Sequence, residues 1–588
     1  MTAPTFLGCV GAVSGSTVSV KQSEAVASGI VIIGGRSYRV GQVGSFVRIP
    51  QGYHDLYGII ADVGATATPQ AIAQSDDRGQ RWMTVQLVGE IVETSFERGI
   101  SQYPGINDEV HLVTEEDLAR IYGTAAAGQI EVGRLAGAES IPVRIDLDRL
   151  VTRHSAVLGS TGSGKSTTVA SLLRSICGDK SPCNYPGARI LLLDIHGEYG
   201  TALSAVAQVF RVNPATDQEK PLYVPYWAID PIELFDFLLG SVEPKAHTAI
   251  LDKVQAMRLS VASGAQGVDP NAVTINTPLP FSLKKLLFDL IDPEVKTWSD
   301  RDKTVPALEA PGDAERLRFP KYSLPSTGNS PPFMNQINVL GIRRQLTQMR
   351  SRLLDRQYDF MLHPGEWEPD LNGRPKKDLQ DLLKDWFGHD KPITILDLSG
   401  VPSAVLLRLI GGILNITYEA MFWGRYLPEG GRERPELVVM EEAHRYLGKD
   451  TENPAREMVQ RIVKEGRKFG VGAMMVSQRP SEIDETILSQ CGTLIALRLT
   501  NTLDKGKVQA ALPDSLSGLV EALPILRTGE ALIMGEAASL PIRCRITLPP
   551  ERSRPASEDP RVAMAWSRKN DKEGYNRLAA AWRSQNPK

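Results

Sequence analysis

Gly159-Ser160-Thr161-Gly162-Ser163-Gly164-Lys165-Ser166 matches the phosphate-binding pattern G-x-x-x-x-G-K-[ST] at every fixed position. Glycines at these places let backbone N–H groups turn inward around phosphate oxygens. The pattern assigns Lys165 to the β- and γ-phosphates of ATP and the Ser166 hydroxyl to Mg²⁺, with Thr167 completing the cradle. The flanks agree. Ser155-Ala156-Val157-Leu158 reads as a short buried strand, and Val169, Leu172, Leu173 and Ile176 recur at i, i+3, i+4, i+7, one apolar helix face. Strand, loop and helix together set a helix N-terminus against an anion.

A second set of residues completes the site on paper. Leu437-Val438-Val439-Met440-Glu441-Glu442-Ala443-His444 is an apolar strand that delivers two acids at its carboxyl end, where ligands of parallel α/β sheets bind. Glu441, standing where aspartate is more usual, would orient the water shell of Mg²⁺, and Glu442 would position and polarise the attacking water. Leu191-Leu192-Leu193-Asp194-Ile195-His196-Gly197-Glu198-Tyr199 ends similarly, and Asp194 is a candidate to face the nucleotide. Ala473-Met474-Met475-Val476-Ser477-Gln478 places Gln478 where its amide would sense the γ-phosphate. Arg467 precedes that strand and Arg153 precedes the phosphate-loop strand; either is a candidate to act across an interface on a neighbour's transition state.

The 588 residues are enough for three or four domains at the usual size, and 42% hydrophobic with 23% charged residues is globular composition. A formal net charge of −3 excludes a protein that coats nucleic acid through bulk charge, though not a locally basic channel. Five cysteines without a C-x-x-C pair point away from a disulfide framework or zinc site and towards the cytoplasm. The longest apolar run, Val401 to Trp423, is broken by Arg408 and Glu419 and reads as a buried helix, so no membrane association is expected. Residues 1–145 alternate short apolar stretches with glycine turns and predict an N-terminal β-barrel. Residues 146–230 and 386–548 predict the two parts of a RecA-like α/β core, 231–385 a mostly helical insertion, and 549–588 a polar tail.

These motifs together resemble the HerA branch of the FtsK/HerA ring ATPases. The resemblance rests on the phosphate loop, Asp194-Ile195-His196-Gly197-Glu198-Tyr199, Glu441-Glu442-Ala443-His444 and Ser477-Gln478-Arg479-Pro480. Ile395-Leu396-Asp397-Leu398-Ser399-Gly400 and Gly529-Glu530-Ala531-Leu532-Ile533-Met534-Gly535 add to it. It covers the chain to about residue 545 and implies a homo-hexamer that moves double-stranded DNA through its pore with ATP and Mg²⁺. It also implies a separate effector docked on the barrel face: a nuclease, as in NurA-paired end resection, or a sirtuin-type NAD-consuming enzyme in antiphage defence. Two other readings stand beside the motor: a ring scaffold that regulates an effector with hydrolysis as the switch, and a conjugation or secretion motor, which the N-terminal barrel disfavours. The basic segment Arg343-Arg344-Gln345-Leu346-Thr347-Gln348-Met349-Arg350-Ser351-Arg352 predicts a helix that either lines a pore or presents a solvated face.

Overall fold

A computed structural model of the chain describes residues 4–24, 30–33, 36–39, 41–64, 81–93, 95–122, 127–178, 185–265, 267–327, 330–449, 453–510, 517–556, 562–567 and 575–584. Cys183, Arg568 and Lys569 lie outside these residues, as does much of the tail expected from 549. The N-terminal strands are β1 (Phe6–Ser14), β2 (Thr17–Gln22), a separate hairpin of β3 (Ile30–Ile33) and β4 (Arg36–Arg39), β5 (Phe46–Pro50), β6 (His54–Val63), β7 (Trp82–Val92), β8 (Ser95–Arg98) and β9 (Glu109–Leu112). They pair in the order β2-β1-β9-β5-β6-β7, and a further β2–β7 pairing closes a six-stranded barrel. Period-two alternation sends Val18, Val20, Val47, Ile49, Met83 and Val85 into its interior, as the pleat dictates. β8 extends from β7, and its Arg98 guanidinium donates to the carbonyls of Gly535 (2.7 Å) and Ser539 (2.6 Å), tying barrel to core.

After α1 (Glu115–Tyr122) come β10 (Gln129–Leu135) and β11 (Ala138–Asp146), then α2 (Leu147–Thr152), β12 (Ser155–Leu158), α3 (Lys165–Cys177), β13 (Arg189–Asp194), α4 (Tyr199–Ala202), β14 (Ala207–Arg211) and β15 (Lys220–Pro221). The expected barrel boundary at 145 is displaced: β10 and β11 join the large core sheet, because β10 pairs antiparallel with a strand more than 400 positions later. Alternation marks a strand but does not name its partner.

Next are α5 (Pro231–Leu239), α6 (Pro244–Ala262), α7 (Leu283–Val295), two small pairs formed by β16 (Thr297–Trp298), β17 (Leu308–Ala310), β18 (Lys321–Tyr322) and β19 (Phe333–Met334), then α8 (Arg343–Leu353), α9 (Asp359–Leu362) and α10 (Leu379–Phe387). Within the 231–385 region, expected to be a mostly helical insertion, the chain thus also carries the antiparallel pair β17–β18. In α8, Arg350 and Arg352 lie over the rings of Phe319 (5.3 Å) and Phe237 (4.6 Å), while Arg343 and Arg344 are exposed.

The chain returns to the sheet through β20 (Ile393–Asp397), α11 (Ser403–Trp423), β21 (Glu436–Met440), α12 (Pro454–Glu465), β22 (Val471–Ser477), β23 (Thr493–Ala496), β24 (Glu530–Gly535) and β25 (Ile542–Ile546). The twelve strands run β11-β10-β25-β24-β23-β12-β22-β21-β13-β20-β14-β15. From β23 to β15 every pairing is parallel, and every residue of β12, β13, β20, β21, β22 and β23 is buried. Helices cover both faces of such a sheet, which is why these strands read as unbroken apolar runs. α11 is long and apolar enough to cross a membrane by composition, but two thirds of its most apolar window is buried inside the fold.

Candidate ATP-binding site

The phosphate loop leaves β12 between β22 and β23 and enters α3. Gly164 caps α3 with φ 93°, and a Cβ there would stand 3.2 Å from the Gly529 nitrogen, so both conformation and space call for glycine. The loop is braced from its far side. Ser160 donates its N–H and its hydroxyl to the Arg498 carbonyl (2.9 Å each), and the Arg498 guanidinium donates to the Gly162 carbonyl (3.1 Å). The Gly529 N–H donates to the Ser163 carbonyl (3.1 Å). A loop braced in this way presents its N–H groups with little reorganisation.

β21 lies two strands from β12, with β22 between, and all three deliver side chains at the same edge. Lys165 Nζ is 4.0 Å from Glu442 Oε1, and both side chains are only 6% exposed. Gln478, at the end of β22, joins them: its amide N–H donates to Glu442 Oε1, and its carbonyl accepts from the Thr161 hydroxyl (2.6 Å). Glu442 Oε2 stands 3.2 Å from His444 Nδ1. Burial pushes the His444 imidazole below its ordinary pKa, with Glu442 pulling the other way. The Glu442 backbone sits at φ 47°, the left-handed region, which a non-glycine residue occupies only where surroundings hold it.

Glu441 is 3% exposed. Its Oε1 accepts from the Tyr199 hydroxyl (2.5 Å) and its Oε2 from the Glu442 N–H (3.0 Å). Burial pushes its carboxyl up to about 7, against the pull of Tyr199 and Lys165. Each Glu441 oxygen accepts one of these hydrogen bonds and keeps a lone pair for a further partner. Ser166 and Glu441 are also the hard oxygen donors Mg²⁺ prefers, so the residues fit the ion; bound there, it would neutralise charge on the β- and γ-phosphates.

Sequence comparison places two overlapping matches on this chain. Residues 130–416 match the family model described as "Helicase HerA, central domain", and residues 371–569 match "Helicase HerA-like C-terminal". The chain belongs to the HerA helicase family. The first match begins inside β10, where the large sheet itself begins. This HerA-family chain is 26% identical over 479 residues to "DNA double-strand break repair helicase HerA" of Sulfolobus acidocaldarius, covering 82% of this chain and 80% of that one. It is 26% identical over 496 residues to the protein of the same name from Pyrococcus furiosus, covering 79% and 77%. Among solved structures, VirB4 of Thermoanaerobacter pseudethanolicus aligns with a TM-score of 0.46 at 13% identity over 73% of this chain and 98% of its own.

In this HerA-family P-loop ATPase, Thr161, Lys165, Glu442 and Gln478 form one connected cluster, with Glu441 beside it. Three other candidates lie elsewhere. The Asp194 carboxylate is spent on the turn that follows β13, accepting from the N–H groups of Gly197 (2.8 Å), Glu198 (3.2 Å) and Tyr199 (2.9 Å). Burial, helped by the nearby Asp397 charge, pushes that carboxyl up to about 6. Arg153 and Arg467 precede β12 and β22, at the sheet edge opposite their own phosphate loop. Arg467 is exposed, and Arg153 pairs with Glu536 at 3.5 Å. Residues given no role by motif reading also touch the site, among them Tyr199, Arg498 and Thr528, whose hydroxyl lies 3.4 Å from the Gly162 carbonyl, whereas the Tyr446 hydroxyl meets only the Glu441 main chain. Only Tyr199 had a sequence signal, its position five residues after Asp194 at a strand end.

Proposed function

We propose that this chain is the subunit of a homo-hexameric ring that hydrolyses ATP to move along double-stranded DNA. The observation that carries this reading is the division of the site between two sheet edges. Lys165, Glu442 and Gln478 gather at the carboxyl edge, whereas Arg467 lies beyond the amino end of seven-residue β22, roughly 20 Å away at about 3.3 Å per residue. Such an arginine reaches a γ-phosphate only in a neighbouring copy. The chemistry is in-line attack of water on the γ-phosphate. Glu442 orients and polarises the water, Gln478 holds Glu442, and Lys165 with the neighbour's Arg467 or Arg153 offsets the charge that develops. Mg²⁺ is the expected cofactor of the nucleotide.

The ring would work with a separate effector docked on the N-terminal barrel, either a nuclease or a sirtuin-type NAD-consuming enzyme, in cytoplasmic antiphage defence. Exposed Tyr53, Tyr103 and Ile106 on the barrel support a docking role. A second reading, a DNA end-resection motor, draws support from the break-repair names of the two archaeal relatives. The test is ATP hydrolysis by the purified chain with and without linear double-stranded DNA, using Glu442→Gln as the blank. Stimulation by DNA that vanishes in the variant supports the motor. Hydrolysis indifferent to DNA moves the reading to a scaffold that uses ATP as a switch.

A further inference from the structure

Both oxygens of Glu441 are held by named donors, and one of those donors comes from a different strand connection. Tyr199 is the first residue of α4 and is fully buried. Its hydroxyl reaches Glu441 Oε1, while the Glu442 N–H occupies Oε2. The ring is aimed by the turn before it: Asp194 gathers three successive N–H groups there, the last being that of Tyr199 itself. Gly197 in this turn has φ 72°, and a Cβ on it would stand 3.0 Å from Asp397 Oδ2, so the turn is pinned from β20 as well. From outside, the C-terminal segment ties down the same turn through the Ala556 N–H, which donates to the Glu198 carbonyl (3.1 Å).

We propose that Tyr199 is the positioning residue for the Glu441 carboxylate, holding it at the orientation in which it receives the cation of the bound nucleotide. This rests on the ATP and Mg²⁺ reading of the site. A carboxylate at a strand end turns about its side-chain torsions, and the Lys165 charge pulls on this one. One hydroxyl on Oε1 stops that rotation and leaves further lone pairs on both oxygens for the ion's water shell. Asp194 then acts through Tyr199: its place in the sequence resembles that of a ligand, but its work is to fix the turn that aims the ring.

Tyr446 supplies the control. It is equally buried, and its hydroxyl donates to the main-chain carbonyl of the same Glu441 (2.9 Å), not to the carboxylate. Tyr199→Phe and Tyr446→Phe therefore each remove one buried hydroxyl bonded to one residue. The experiment measures ADP affinity of the full-length chain in EDTA, and then Mn²⁺ binding to the ADP-loaded protein by electron paramagnetic resonance, with thermal melting to check the fold. Tyr199→Phe is expected to keep its ADP affinity in EDTA and to lose about 10- to 100-fold in Mn²⁺ affinity, the usual cost of removing an outer-shell partner. Tyr446→Phe is expected to keep both. Equal Mn²⁺ affinity in wild type and Tyr199→Phe overturns the proposal. Equal losses in both variants also overturn it, by showing a packing effect. If the wild-type chain itself holds no Mn²⁺ on ADP, the metal reading of Ser166 and Glu441 fails first and takes this proposal with it.

Discussion

At the carboxyl edge of the twelve-stranded sheet, Lys165, Glu441 and Glu442 are buried and each has a partner within the chain. At the amino edge, Arg467 and Lys468 are exposed, and nearby Trp423 and Tyr426 are 77% and 74% exposed. There Arg425 lies over the rings of Phe422, Tyr426 and Phe469. One edge is organised in advance for phosphates; the other offers arginine and aromatic side chains, the composition of contact surfaces between proteins. In a ring, each edge would complete the other.

Four measurements break or sharpen this contrast. The largest effect is expected from Arg467→Ala, which should lower the ATPase kcat by roughly 10³- to 10⁵-fold, as loss of a trans-acting arginine does. Mixing Arg467→Ala with Glu442→Gln subunits should restore part of the rate, because some junctions then pair an intact Arg467 with an intact Glu442. A near-normal rate in Arg467→Ala would shift the role to Arg153. Glu442→Gln should cost about 10²- to 10⁴-fold in kcat while nucleotide binding persists in a filter or fluorescence assay.

Gln478→Ala removes the hydrogen bond that holds Glu442. A bond to a charged group at about 1.5–3 kcal/mol predicts a loss of roughly 10- to 100-fold in kcat, read from steady-state kinetics. If kcat is unchanged, the contact plays no part in the chemistry.

The smallest effect tests the amino edge. Glu436 begins β21 there, fully buried beside Arg189 at 3.3 Å, and burial pushes its carboxyl up to about 7 despite the charges of Arg189 and Arg434. The folded chain keeps this proton where the unfolded chain, titrating near 4.3, has released it. Stability from this group is full below the unfolded value and is lost as pH rises through 7. The Tm of the wild-type chain should therefore fall between about pH 5 and pH 8, and Glu436→Gln should flatten that slope by a few degrees.

What the motifs disclosed and what they concealed divides along the same line. The phosphate loop was legible because its residues are contiguous, so covalent spacing alone sets their geometry. The strand ends at Glu441 and Gln478 were legible because an apolar run stopping at a polar residue marks the carboxyl edge of a buried parallel strand. Asp194 satisfied the same rule, yet it bonds its own turn, because short-range N–H donors compete for a buried carboxylate. Tyr199 was visible in its motif and Arg498 was not, but for neither does the local sequence say which distant element it meets.

From sequence alone follow the ligand class, the parallel α/β core and the barrel ahead of it, and the lysine, acids and glutamine stand as its candidates for the site. These depend on local pattern, which the chain carries wherever it goes. Tertiary structure decided which strands share a sheet, drawing β10 and β11 out of the barrel's stretch and into the core. It also decided that Glu442 meets Gln478, that Tyr199 meets Glu441, and that the arginines stand at the far edge. The physical reason is that these are pairings between residues far apart in sequence, and only packing of the whole sheet brings them within bonding distance.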